Sequence, residues 1–219
     1  MMNAELAQCA YDTSNCPLQW NIVDPFDIDL FPGNFSSNGF SAVLLHNPVT
    51  NEFVLSFAGT SFFSVHDWVS NIQNHLNLAN PEQYELAVDL AREVATALAL
   101  HYPGATLSFT GHSLGGGLAS IGALATGNEA VIFNSTTISQ NALDQNNVQS
   151  VGHTNSIVAI NTVGDPVNHV QQDVGQPAFG THIDIGDPAA PVLVSSHGIS
   201  TVQDELVHLY NENCLYGQP

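Results

Sequence analysis

The stretch Gly111-His112-Ser113-Leu114-Gly115-Gly116-Gly117 decides how this chain is read. It follows a short apolar run, Leu107-Ser108-Phe109-Thr110, and leads into the small and apolar residues Leu118-Ala119-Ser120-Ile121-Gly122-Ala123-Leu124. A strand, then G-x-S-x-G, then a helix describes a sharp turn that holds a serine hydroxyl above the edge of a sheet. A serine on such a bend has a strained backbone. Side chains two residues to either side would strike neighbouring backbone, which suits Gly111 and Gly115 to those places. The turn also aims the first amides of the helix at a reacting carbonyl, where negative charge develops. The five-residue pattern alone is a weak signal, and the flanking strand and helix give it weight.

Upstream of the turn, Pro81 to His101 is the clearest helix. Asn80 is a candidate N-cap, Pro81 takes the first position, Glu82 and Glu85 lie in the first turn, and Pro103-Gly104 ends it. Leu86, Leu90, Val94, Ala97 and Leu98 recur on one face at helical spacing. Ala4 to Tyr11 reads as a short helix, and Asn21 to Asn38 is turn-rich loop. Phe40 to His46 and Glu52 to Phe57 flank Asn47-Pro48-Val49-Thr50-Asn51, the signal of a β-hairpin. Ala105 to Thr110, Ala130 to Phe133, Ser156 to Asn161, His182 to Ile185 and Val192 to Val194 read as further strands, and Ile199 to Tyr210 as a closing helix. Strands alternating with helices predict an α/β fold: a mostly parallel central sheet flanked by helices, with the N-terminal hairpin at its edge. The 219 residues suffice for one full core and show no boundary, so residues 1–219 are expected to form a single domain.

Charge narrows the partners. The chain has 20 acidic residues against one basic residue, Arg92, for a formal net charge of −19. Such a surface repels phosphate backbones, which argues against nucleic acid as a partner. The acids are spread along the chain, as on a solvated and highly soluble surface. The lack of lysine also fits an exported protein that must avoid lysine-directed modification or work at low pH. No apolar run is long enough to cross a bilayer. Met1-Met2-Asn3-Ala4-Glu5-Leu6 lacks a basic region followed by an apolar core, so no signal peptide is visible. A mature chain stripped of its leader reads the same way, and export is the expectation over a cytoplasmic location. Of the three cysteines, Cys9 and Cys16 are close enough for a small loop, and Cys214 could reach either. Buried reduced thiols are the favoured reading, since no leader marks an oxidising compartment. No spacing suggests zinc, and Asp24, Asp27 and Asp29 read as solvated loop acids rather than a calcium site. The chain carries little information on oligomers.

A serine hydroxyl needs a histidine to take its proton and a carboxylate to hold that histidine in the right tautomer. The best acid is Asp165, in Ala159-Ile160-Asn161-Thr162-Val163-Gly164-Asp165-Pro166-Val167, just past an apolar strand. Asp144, Asp173, Asp184 and Asp187 are weaker candidates, within or beside polar loops. Four histidines follow: His169, His182, His197 and His208. His197, in the loop Val194-Ser195-Ser196-His197-Gly198-Ile199-Ser200, can swing over the sheet edge, whereas His208 falls within the last helix. His112 reads as structural rather than basic, because chain neighbours on a tight turn diverge. It stays a minor candidate for substrate contact.

Taken together, these segments resemble the class 3 lipase family of α/β-hydrolases, particularly its small bacterial phospholipase-like branch. The likeness is carried, in order, by Leu6-Ala7-Gln8-Cys9-Ala10-Tyr11, Phe53-Val54-Leu55-Ser56-Phe57-Ala58-Gly59-Thr60, Asp67-Trp68-Val69-Ser70-Asn71, Gly111 to Gly116, Val163-Gly164-Asp165-Pro166-Val167 and His197-Gly198-Ile199-Ser200-Thr201-Val202. The resemblance implies Ser113 as nucleophile, Asp165 as acid and His197 as base. It further implies oxyanion-hole amides from Thr60 and Leu114, the Thr60 hydroxyl assisting. Thr60 has no signal apart from the family. Phe62 and Phe63, in the short segment after Thr60, are candidates for contact with acyl chains or a lipid surface. Two departures stand out: Ala58 where the family often has arginine, and Gly117 where alanine is usual.

The expected activity is hydrolysis of carboxylic esters of lipids, as a lipase or phospholipase, through an acyl-enzyme and without metal or organic cofactor. A soluble short-chain carboxylesterase and a non-catalytic binding module on the same scaffold are the competing readings.

Overall fold

The computed structural model describes residues 2–37, 39–59, 81–150, 156–173 and 178–216. One sheet organises it, built from β1 (Asn21–Ile22), β2 (Ser36–Ser37), β3 (Phe40–Asn47), β4 (Glu52–Phe57), β5 (Thr106–His112), β6 (Glu129–Phe133), β7 (Ile157–Thr162) and β8 (Thr181–Ile185). The order across the sheet is β1-β3-β4-β5-β6-β7-β8, with β2 also pairing β3. β3 and β4 are antiparallel, in the register Leu44 to Leu55, and β4 through β8 run parallel. The hairpin therefore lies one strand in from where the sequence put it. β1 and β2 pair antiparallel with β3 and cover it.

Helices cover both faces, as parallel strands require. The helices are α1 (Met2–Cys9), α2 (Pro81–His101), α3 (Leu114–Thr126), α4 (Gln140–Gln145), α5 (Pro166–Asp173) and α6 (Ile199–Tyr216). α2 buries Tyr84, Ala87, Val88, Leu90, Ala91, Val94, Ala97 and Leu98 against the sheet and α3, while Leu86 is only half-buried. The Tyr102 N–H donates to the Leu98 carbonyl at 2.8 Å as this helix ends, just before Pro103-Gly104. α3 is the most deeply set element, with every residue from Gly115 to Leu124 buried. Phe53, Phe57, Phe109 and Leu118 share this core. On the opposite face Leu6 and Cys9 of α1 pack on Val43, Leu45 and Val54, and Ala4 and Ala7 meet Ile185 and Val202 of α6.

Two local expectations change, and one helix is added. Val192 to Val194 forms no strand: Gly186 (φ 102°), Pro188 and Pro191 break the chain after β8 into turns, and a 3-10 turn follows at Val194–His197. The added helix, α4, is nucleated by Ser139, whose hydroxyl accepts from the Ala142 N–H at 3.2 Å. Cys9 and Cys16 are joined as a disulfide rather than free. α1 ends at Cys9, and a 3-10 turn at Thr13–Asn15, capped by Asp12, folds the chain back to bring their Cα atoms to 4.7 Å.

Closing a loop this short removes unfolded-state entropy worth about 2 kcal/mol. Cys9→Ser should therefore lower the urea midpoint by that equivalent without changing the slope of the transition. An unchanged midpoint would mean that the bond contributes nothing to stability.

Candidate active site

The turn at the end of β5 is possible because two positions carry no side chain. A Cβ on Gly111 would strike the Gly115 carbonyl, and one on Gly115 would strike the Phe57 carbonyl of β4. Between them Ser113 adopts φ 60° and ψ −128°, a conformation that L residues with side chains rarely hold. Its backbone is fixed from β6: the Ser113 N–H donates to the Phe133 carbonyl at 3.0 Å, and the Ser113 carbonyl accepts from Thr136 N–H at 3.1 Å. Leu114 begins α3, so no carbonyl of that helix stands four residues before its N–H.

Ser113, Asp165 and His197 come together although they lie on three separate segments. The Ser113 Oγ is 2.9 Å from His197 Nε2, and His197 Nδ1 is 2.6 Å from Asp165 Oδ2. All three are almost fully buried. Asp165 follows β7 and is held by the first turn of α5, where the Asn168 N–H donates to its Oδ1 at 2.8 Å. His197 ends the 3-10 turn before α6. That loop is tied to the acid's own loop by the Leu193 N–H, which donates to the Gly164 carbonyl at 3.1 Å. With Nδ1 bonded to a carboxylate, the neutral ring carries its proton there and leaves Nε2 free to accept one from the serine.

The other candidates lie elsewhere. His169, on α5, and His208, on α6, are exposed; His182 is exposed on β8, with Nε2 2.8 Å from the Ala178 carbonyl. Asp144 accepts from Gln140, Asp184 from Asn161, and Asp187 caps a turn at Ala189. Thr60, Phe62, Phe63 and the segment from Asp67 to Asn71 lie outside the described residues. Gly59 sits against the elbow, where a Cβ on it would meet the His112 carbonyl oxygen at 2.9 Å and Ser113 Cβ at 3.5 Å. Among the described residues no group of acids, histidines and cysteines could hold a metal.

His112 is buried beside Ser113 in the elbow. Its Nε2 donates to the His197 carbonyl at 2.5 Å, and the Tyr11 hydroxyl stands 3.2 Å from both its Nδ1 and its carbonyl oxygen. Nothing in the sequence marks Tyr11 for a part in the site. Its hydroxyl accepts from Gly59 N–H and joins the end of β4 to the elbow, and burial raises its pKa well above the ordinary phenol range.

The sequence profile of a phospholipase-like family, the Tle-like phospholipase domain, matches residues 2–204. The chain belongs to this family. An extracellular phospholipase A1 of Serratia liquefaciens is 38% identical over 120 residues, which is 55% of this chain and 34% of the relative. The chain thus spans about a third of the length of that relative. Among solved structures, the Lip2 lipase of Yarrowia lipolytica superposes with a TM-score of 0.56 at 17% identity, covering 89% of this chain and 80% of that one. A Rhizomucor miehei lipase propeptide complex gives 0.57 at 16% identity, covering 85% and 67%. These structures share the α/β-hydrolase fold.

Within the Tle-like domain one of the two departures has a local reason. A Cβ at Gly117 would stand 2.6 Å from Thr136 Oγ1 and 3.0 Å from the Tyr84 hydroxyl, so alanine there would crowd α3. The alanine at position 58 has no such structural explanation.

Burial, reinforced by the facing His197, pushes the His112 pKa down to about 3. In the unfolded chain a histidine titrates near its ordinary value, about 6.5. Between those values the unfolded state binds a proton that the folded state refuses, so this histidine's share of stability is present above about pH 6.5 and lost on acidification. His112→Gln should make unfolding free energy depend less steeply on pH between about 6.5 and 4, by up to about one proton in urea titrations. Parallel slopes for variant and wild type would show that His112 is not the source.

Proposed function

We propose that this domain hydrolyses carboxylic esters of lipids, as a phospholipase A or lipase, through an acyl-enzyme. The observation that carries this is the continuous relay from Ser113 Oγ through His197 to Asp165, at 2.9 and 2.6 Å, on a strained elbow. Family membership and the Serratia phospholipase support the substrate class.

In this reading Ser113 Oγ attacks the ester carbonyl carbon while His197 Nε2 takes the hydroxyl proton. Asp165 stabilises the resulting imidazolium without accepting its proton. The oxygen of the tetrahedral adduct gains negative charge and is held by the Leu114 amide at the positive end of α3, with the Thr60 amide and hydroxyl as the second arm. His197 then protonates the departing alcohol, breaking the carbon–oxygen bond and leaving the acyl group on Ser113. Water, deprotonated by the same nitrogen, attacks this acyl ester and releases the fatty acid with Ser113 restored. Each step uses side chains and amides of this chain alone. Phe62 and Phe63 would meet the acyl chain, and contact with a lipid surface would be brief, because a net charge of −19 gives anionic headgroups nothing to hold.

Secretion is part of the proposal. The Serratia relative is extracellular, and the Cys9–Cys16 disulfide suits an oxidising compartment.

The test is hydrolysis of nitrophenyl esters of graded chain length alongside mixed phospholipid and triacylglycerol vesicles. Wild type should release fatty acid from the vesicles and favour longer chains in the ester series. Preference for short soluble esters would move the assignment to a carboxylesterase, and no hydrolysis by folded protein across pH would leave a binding scaffold. Ser113→Ala, His197→Ala and Asp165→Ala should each cut turnover by about a thousandfold or more while circular dichroism is unchanged. An active His197→Ala with an inactive His208→Ala would reassign the base.

A further inference from the structure

Behind the relay, one side-chain amide touches several segments that carry it, and the proposed chemistry makes no use of that amide. Asn134 follows β6, is fully buried, and holds φ 41°. Its own N–H donates to the Ile160 carbonyl at 3.0 Å, which anchors it between β6 and β7. Its Oδ1 accepts from the Thr162 N–H at 2.7 Å and from Asn168 Nδ2 at 3.3 Å. Its Nδ2 donates to the Ser196 carbonyl at 3.2 Å and the His197 carbonyl at 3.4 Å, and lies 3.3 Å from Thr162 Oγ1.

These partners are not scattered. The Ser196 and His197 carbonyls belong to the turn that carries the imidazole, and Asn168 is the residue whose backbone N–H holds Asp165 Oδ1. One amide therefore grips the backbone of the base with its donor end and the support of the acid with its acceptor end. The separation between those two ends is fixed by an sp2 group. The distance from His197 to Asp165 is thus referred to a rigid ruler seated in the sheet, rather than to the exposed loop from Asp187 to Leu193.

We propose that Asn134 is a positioning residue for ester hydrolysis: it sets His197 and Asp165 relative to each other and to Ser113. This rests on the reading of the site as a serine hydrolase. Without the amide donor, two carbonyls lose a partner and the His197 turn relaxes toward solvent. A displacement on the order of 1 Å from in-line geometry costs about a hundredfold in rate. The residue itself contacts no substrate, so binding of the ester is untouched.

Two variants test this while respecting the left-handed backbone, which glycine, asparagine and aspartate tolerate best. Asn134→Gly removes the whole amide. Asn134→Asp keeps the acceptor and replaces the donor with an oxygen facing two carbonyls. Both are assayed on a soluble nitrophenyl ester, below the melting temperature of each. The far-downfield proton NMR signal of the His197 Nδ1–H to Asp165 bond is recorded alongside. The expected result is a kcat lower by about ten- to a hundredfold with KM within about twofold, and loss or broadening of the downfield signal in folded protein. A kcat within twofold of wild type and an intact signal in both variants would overturn the proposal. So would a loss confined to KM. A fluorophosphonate probe separates this from failure of the hydrolase reading. If it does not label wild-type Ser113 and wild type turns over no ester, that reading is at fault. The downfield signal alone then decides the role of Asn134, its persistence in both variants counting against it. Should the glycine variant fail to fold, the aspartate variant, which keeps the contacts to Thr162 and Asn168, carries the same measurements.

Discussion

The fold turns on how closely β5, α3 and the end of β4 can approach one another. With the Gly115 position against the Phe57 carbonyl and the Gly111 position against the Gly115 carbonyl, there is no room for a single added methyl group. That crowding forces Ser113 into its strained conformation, because the chain must reverse within two residues to enter α3. The strain is held from outside by the two backbone bonds to β6 and its continuation. A buried helix packed on a parallel sheet supplies the rigidity needed to keep an unfavourable backbone in place.

Around that contact the polar groups of the site are paired rather than merely adjacent. Ser113, His197, Asp165 and Asn134 are all buried, and each has a partner within hydrogen-bond distance. Buried polar groups left unpaired would cost more than they could contribute. Such a network also excludes alternative positions for the ring, since most shifts of His197 break several bonds at once. His112, neutral because of its burial, gives the His197 carbonyl its shortest bond without adding a charge next to the His197 ring.

Much of this was legible in the sequence, and the reasons are specific. The elbow and α2 declare themselves by local chemistry, glycines at a collision point and a proline at a helix start, and these signals do not depend on distant residues. Asp165 was legible from its place after an apolar strand, and His197 from a loop entering the last helix. Asn134 was not. Its significance comes entirely from what β7, α5 and the 3-10 turn bring to it, and a lone asparagine after a strand carries no sign of that. Thr60 came through family resemblance only and falls outside the described residues. The Cys9–Cys16 bond was not legible, because a spacing of seven residues allows a small loop without showing whether its thiols are oxidised. Val192 to Val194 has the composition of a strand, yet the prolines beside it deny the ladder its donors.

The chain order of the relay has a consequence for how the site is assembled. Ser113 and His197 are 84 residues apart in sequence, and β6, β7 and β8 must all be laid down between them. Contacts so distant form only after the intervening loops have been closed at an entropic cost, so the imidazole reaches the hydroxyl late in folding. A chain emerging from the ribosome with its elbow already bent still presents an ordinary alcohol. Seating of the last strand and helix is what brings the imidazole to it.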